Sequence, residues 1–271
     1  MSPVKEPNFF VYDPKHPGWS GPIKYLDAVV KSLPEYMQLY SGVTNEKAIG
    51  EASPSNLSRY SCAQIKYHLP KGRFIGILRQ PVDHAYAKFL HRRRDGFEPE
   101  SDFYTAYRAS DLRRKKNWSP MLVYRSDVYV YNVKNWLSNF PPEQIRFFLT
   151  DDLKSDARGL MKDIYRFLNI DDSFSPDISK RYNTAFTVRM PAVSRFFQPQ
   201  SRGTPLNVLL KKIVPAPLRS PLVKQVHTWN RLPAPPLDPG IRNELTAELR
   251  EDILKLQDLL NRDLSHWFKE R

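Results

Sequence analysis

The chain has 271 residues and a formal charge of +13, with 42 Lys and Arg against 29 Asp and Glu, which favours anionic partners without choosing among them. Its one cysteine, Cys62, excludes an internal disulfide framework or a cysteine-rich zinc site, and its 41% hydrophobic residues with 15 Phe and 14 Tyr exclude wholesale disorder. No apolar run approaches the roughly 20 residues of a membrane-spanning helix, and MSPVKEPNFF has no apolar signal core, so a cytoplasmic protein without an integral membrane segment is expected.

Residues 1–22 are rich in Pro, Gly and aromatics and predict an irregular opening. Apolar spacing predicts a helix over Pro22–Ser32, then a polar stretch, then a helix over Leu57–Tyr67. Arg73–Leu78 reads as a buried parallel strand closed by Arg79-Gln80-Pro81. A helix follows from Pro81, with proline suited to a first turn, and ends near Gly96. Residues 101–118 predict an exposed basic helix, Tyr124–Leu137 an aromatic-rich helix, and Ile145–Leu149 a second buried strand. Capped helices are expected from Asp151 through Leu168. Residues 176–240 are rich in Pro, Arg and Lys with weak periodicity and suggest a flap or linker. Leu245, Leu249, Ile253, Leu256 and Leu260 predict an amphipathic C-terminal helix over 241–267. Helices alternating with short strands imply an α/β fold with a short parallel sheet, in one domain spanning 1–271.

The strand-to-helix junction FIGILRQPVDHAYAKFL is the most informative site. Arginine at the C-terminal end of a parallel strand, next to a helix N-terminus, suits a phosphate. Arg79 either binds such an anion or pairs with Asp83. The runs His91–Arg94 and Arg113–Lys116 are either solvated faces or guides for an anionic substrate. The six His lack metal-ligand spacing.

ILRQPVDHAYAKFL resembles the 3′-phosphate-binding segment of sulfotransferases that use 3′-phosphoadenosine 5′-phosphosulfate (PAPS). MSPVKEPNFF, AIGEASPSNL, the run from NWLSNFPPEQ to YRFLNI, and RLPAPPLDPG through LNRDLSHW are similar to further blocks of that family, in the same order. The chain is similar to bacterial sulfotransferase domains related to the heparan sulfate enzymes. The resemblance implies a three-layer α/β/α fold of the P-loop NTPase-like kind, a sulfuryl donor PAPS with product adenosine 3′,5′-bisphosphate, a glycan or small-molecule acceptor and no metal. Net charge alone supports a nucleic-acid partner, and with no helix-turn-helix, zinc-finger or RNA-recognition signature in the sequence no nucleic acid is expected.

Residue by residue, the resemblance makes Arg79 the 3′-phosphate anchor. Ala87 falls where a serine usually shares that task, and His84 where a second arginine stands. Glu6 falls at the catalytic base, since attack on sulfur needs a proton acceptor beside the nucleophile. Lys5 would supply positive charge there. The alternatives are a surface glutamate and a solvated lysine. Asn8 takes the place of a frequent histidine. Glu51 and Ser53 of GEASPS would border the acceptor cleft, although an N-cap role for Ser53 or Ser55 is the simpler reading. Tyr129 and Asn132 would contribute packing and support on the cofactor side, with core aromatic packing the simpler reading of Tyr129. The family's 5′-phosphosulfate loop, near GxxKxGTT, precedes the KEPNFF block. No such pattern occurs here, so an N-terminally truncated fold is expected, with a non-transferring, anion-binding relative as the alternative.

Overall fold

A computed structural model describes residues 1–23, 30–125, 128–178, 186–190, 192–193 and 216–269. Most of the helix predicted over Pro22–Ser32 lies outside these residues. A short helix, α1 (Leu33–Gln38), follows it. Ser32 and Glu35 cap α1 reciprocally, and Pro34 sits in its first turn. A 3₁₀ turn over Pro54–Leu57 leads into α2 (Arg59–His68), whose N-cap is Ser58: its hydroxyl accepts from the Ser61 amide at 3.2 Å. The simpler reading of Ser53 or Ser55 as the cap is therefore corrected.

β1 (Phe74–Leu78) and β2 (Ile145–Leu149) pair in parallel, from Phe74 opposite Ile145 to Leu78 opposite Leu149. A parallel pair needs a long crossover, supplied by α3 (Pro81–Arg94), α4 (Phe103–Arg108), α5 (Ser110–Lys115) and α6 (Val128–Asn139). In α3, Val82, Ala85, Phe89 and Leu90 face the core, and Gly96 follows its end at φ 75°, a left-handed conformation that suits glycine. The exposed basic helix predicted over 101–118 is instead two short helices, α4 and α5. Phe103, Ala106, Tyr107 and Arg113 from this stretch are buried. The aromatic-rich helix starts at Val128, leaving Tyr124 buried in the preceding loop.

After β2 come α7 (Thr150–Ser155) and α8 (Ala157–Leu168), the latter capped by Asp156. Within 176–240 the described residues are more regular than predicted. β3 (Phe186–Val188) pairs antiparallel with β4 (Arg231–Pro233), and α9 (Ala216–Asn230) precedes β4. Pairing between residues far apart in sequence, Phe186 with Pro233 and Val188 with Arg231, makes these strands, a signal no local periodicity carries. The helix predicted over 241–267 is divided into α10 (Pro239–Glu248) and α11 (Arg250–Leu260), which meet at Leu249. Asn261 ends α11 in a left-handed conformation (φ 47°), and Ser265–Phe268 form a 3₁₀ turn. The predicted seam survives the break, since Leu245, Leu249, Ile253 and Leu256 are all buried.

Two apolar clusters give the three layers. One joins Leu78 and Leu149 to α3, α4, α6, α10, α11 and the terminal Leu264 and Trp267. The other joins Ile145 to Phe10, Tyr36, Cys62, Ile65, Trp136 and Phe140. The Trp267 indole N–H donates to Asp151 just beyond β2 at 2.8 Å, and Arg262 pairs with Asp152. The C-terminal turn is thereby fixed to the end of the sheet that carries Arg79. Parallel strands are usually covered on both faces, yet Ile77 of β1 is 49% exposed.

Candidate active site

Arg79 leaves β1 immediately before α3. Its backbone N–H donates to the Tyr129 hydroxyl of α6 at 3.1 Å. Burial pushes that phenol above its ordinary pKa, so it stays neutral and able to accept. Gln80, fully buried, caps α3 by accepting from the Asp83 amide at 2.7 Å, and its Nε2 donates to Thr246 of α10 at 2.9 Å. Asp83 does not take Arg79 as its ion-pair partner. Its Oδ1 accepts from Arg242 Nε at 3.0 Å. Among the described residues Arg79 makes no ion pair. Its guanidinium therefore stands uncommitted at the N-terminal, electropositive end of a 14-residue helix.

His84 lies on the next turn, its ring 6.2 Å from that of Tyr129. Desolvation first, then the positive charges of Lys88 and Arg79, push its pKa down to about 4. His84 nevertheless remains exposed to solvent as a residue. Ala87, half-buried on α3, offers no polar group. Lys88 turns away from the junction, donating to the carbonyls of Pro120 and Val123 at 2.8 Å each.

Lys5 and Glu6 form the second group. Lys5 Nζ lies 3.8 Å from Glu6 Oε1, with side chains 78% and 42% exposed. Glu6 has φ 51°, a left-handed conformation that is uncommon for a residue other than Gly, Asn or Asp. Two neighbours hold this backbone. Pro7 O accepts from the Val30 amide at 3.3 Å, and Asn8 accepts from the Ser55 hydroxyl. Ser2 N–H adds a bond to Gly50 O at 2.8 Å. The KEPNFF and GEASPS blocks, distant in sequence, are thus docked together. Glu51 is held by Ser53 Oγ and Asn56 Nδ2, each at 2.6 Å, so Ser53 orients a carboxylate instead of capping a helix.

The structure does not join the two groups directly: among the described residues no contact links Lys5 or Glu6 to Arg79. They meet along α3. The Lys5 charge acts on His91, two turns beyond His84. Desolvation lowers His91 to about 4, and Arg94, Arg92 and Lys5 push the same way against Asp95.

The charge runs are less free than a solvated face would be. Arg113 is buried in a doubly bonded pair with Glu98, at 2.7 Å on each side. His91, Arg92 and Arg94 all gather around Asp95. Sequence reasoning missed Gln80, Thr246 and Arg242 as supports of the junction. The Arg242–Asp83 partners lie 159 residues apart, and no local pattern signals such a pair.

Among the described residues no helix is long and apolar enough to cross a membrane, and no group of three or more His, Cys, Asp or Glu could hold a metal ion. No match was found among curated proteins. The crystal structure of a sulfotransferase from Alicyclobacillus acidocaldarius resembles the chain in fold, with a TM-score of 0.69 at 23% identity over 99% of this chain and 87% of that one. A family model described as the sulfotransferase domain matches residues 22–187. That match spans more than half of the chain and includes the Arg79 junction, and the chain accordingly belongs to the sulfotransferase domain family.

Proposed function

We propose that this chain transfers a sulfuryl group from 3′-phosphoadenosine 5′-phosphosulfate to a hydroxyl or amine of a glycan or small-molecule acceptor. The observation that carries this reading is the uncommitted Arg79 guanidinium at the N-terminus of α3, on a backbone fixed by Tyr129 and Gln80. A guanidinium and a helix N-terminus together fit a phosphate dianion. The donor supplies a sulfuryl group activated by its anhydride link to phosphate. Arg79 would hold the 3′-phosphate by charge-assisted hydrogen bonds. His84, pushed well below the ordinary histidine pKa, would gain a proton beside that anion and add a donor where Ala87 gives none. Glu6 would accept the proton that the acceptor hydroxyl or amine releases as it attacks sulfur. Lys5, with its Nζ 3.8 Å from Glu6 Oε1, would add positive charge beside the transferring group.

The exposure of Glu6 and the missing hydroxyl at Ala87 favour one second reading, a relative that binds the anion without transfer. Thermal stabilisation by adenosine 3′,5′-bisphosphate, with AMP as the control lacking the 3′-phosphate, tests the first step. A ligand at a hundred times its Kd adds about 2.7 kcal/mol. A shift with the bisphosphate alone, lost in Arg79→Ala, supports the anchor, and equal shifts with both nucleotides refute it. Turnover of PAPS then separates transfer from binding alone.

A further inference from the structure

Tyr129 stands in the first turn of α6, and its ring packs against the apolar cluster around Leu78 and Leu149. Phenylalanine would fill that space equally well, so the hydroxyl needs an explanation of its own. The oxygen crosses to the end of β1 and accepts from the Arg79 backbone N–H at 3.1 Å. Accepting that bond occupies a lone pair and leaves the phenol its proton. Burial holds the phenol above its ordinary pKa, so the proton stays in place. Among the described residues no group accepts it. Capping the amide therefore accounts for the oxygen of Tyr129 and not for its O–H. A hydroxyl that already accepts from an amide is also polarised into a better donor.

The neighbours of this hydroxyl show what it can serve. Its partner is the backbone of the same arginine whose guanidinium makes no ion pair among the described residues. His84, on the next turn of α3, holds its ring 6.2 Å from that of Tyr129. A guanidinium, an imidazole and a phenol are thus brought to one junction from β1, α3 and α6. Such a set of donors fits an anion with several acceptor oxygens.

We propose that Tyr129 binds the anion directly: its hydroxyl donates to an oxygen of the phosphate held by Arg79, and so supplies from α6 the hydroxyl donor that Ala87 lacks on α3. This role rests on the reading of Arg79 as a phosphate anchor. It goes beyond bracing, because a brace uses only the lone pair. The backbone N–H of Arg79 then reaches, through the Tyr129 hydroxyl, the same group that its guanidinium grips.

The experiment compares the affinities of adenosine 3′,5′-bisphosphate and AMP in wild type, Arg79→Ala and Tyr129→Phe. The readout is the ratio of the two affinities, which isolates the 3′-phosphate and is insensitive to a uniform loss of folded protein. In Tyr129→Phe the preference for the bisphosphate should fall about tenfold, the scale of one hydrogen bond to a charged group. A second measurement follows the fluorine NMR signal of 3-fluorotyrosine incorporated in place of Tyr129, and it decides even where Tyr129→Phe fails to fold. That signal should move with the bisphosphate and stay in place with AMP. A preference kept within about twofold in a folded Tyr129→Phe overturns the direct contact. So does a fluorine signal that ignores the bisphosphate, which would leave Tyr129 as a brace, or one that moves equally with AMP. A wild type without any preference, or a preference unchanged in Arg79→Ala, overturns the anchor and this role together. A preference lost in Arg79→Ala and unchanged in Tyr129→Phe overturns the role of Tyr129 alone.

Discussion

Glu98 and Arg113 form a doubly hydrogen-bonded ion pair in the interior, with side chains 0% and 4% exposed. Tyr124 donates to the same carboxylate, and the Leu122 carbonyl accepts from the guanidinium. The Arg113 guanidinium also lies over the Trp118 ring at 4.9 Å. Removing one partner of such a pair strands the other charge away from water. Arg113→Met should therefore destabilise the protein by about 3–5 kcal/mol, while Glu98→Gln together with Arg113→Met should cost less. Urea unfolding measures both, and a single-variant loss below about 1 kcal/mol would show that the pair is not a structural pin.

Glu6 gives the second prediction. If its carboxylate accepts the acceptor's proton, Glu6→Gln should lower kcat by about 10²–10⁴-fold while leaving bisphosphate binding at Arg79 unchanged. The two groups share no contact, so the effects should separate. Unchanged kcat would assign Glu6 to the surface, and a parallel loss of binding would point to disruption of the docked KEPNFF and GEASPS blocks.

His84 makes stability and binding depend on pH in opposite directions. Its folded pKa is near 4, below the ordinary value of 6.5. Between these values the unfolded chain binds the extra proton and the folded chain does not. Stability is therefore fully present above about pH 6.5 and declines as pH falls toward 4. An anion at Arg79 favours the protonated ring, so bisphosphate affinity should rise over the same descent. NMR titration of the His84 ring, free and with bisphosphate, checks this. His84→Gln should flatten the part of the stability slope that His91 does not supply. A ring titrating at 6.5 in the free protein would remove the basis for both effects.

The elements that could be read from sequence are those whose signals are local. β1 and β2 are short apolar runs bounded by Arg79 and Thr150. α3 announces itself by Pro81 and by a buried face at short spacing. The seam from Leu245 to Leu256 follows helical periodicity, and that periodicity passes through the break at Leu249 because the hydrogen bonds Leu249 N–H to Leu245 O and Ile253 N–H to Leu249 O continue across it. The misreadings share one cause. Arg113 looks like one member of a basic run until Glu98 is placed against it. β3 has three residues and exists through its partner β4. Ser53 resembles a cap until Glu51 turns toward its hydroxyl. Of the candidate site, Arg79 and its helix could be read locally, whereas Gln80–Thr246 and Asp83–Arg242 depend on which distant helix packs there.

Trp267, fully buried and bonded to Asp151, bears on how the chain is made. A ribosome delivers β1, α3 and β2 long before it delivers Arg242, Leu264 and Trp267. Until those residues emerge from the exit tunnel, Asp83 lacks its bond from Arg242 and the cluster around Leu78 and Leu149 lacks its last wall. The nascent sheet must therefore wait with apolar surface uncovered, a window in which chaperones or neighbouring chains compete for it. Closure of this core therefore waits on the segment that carries Leu264 and Trp267.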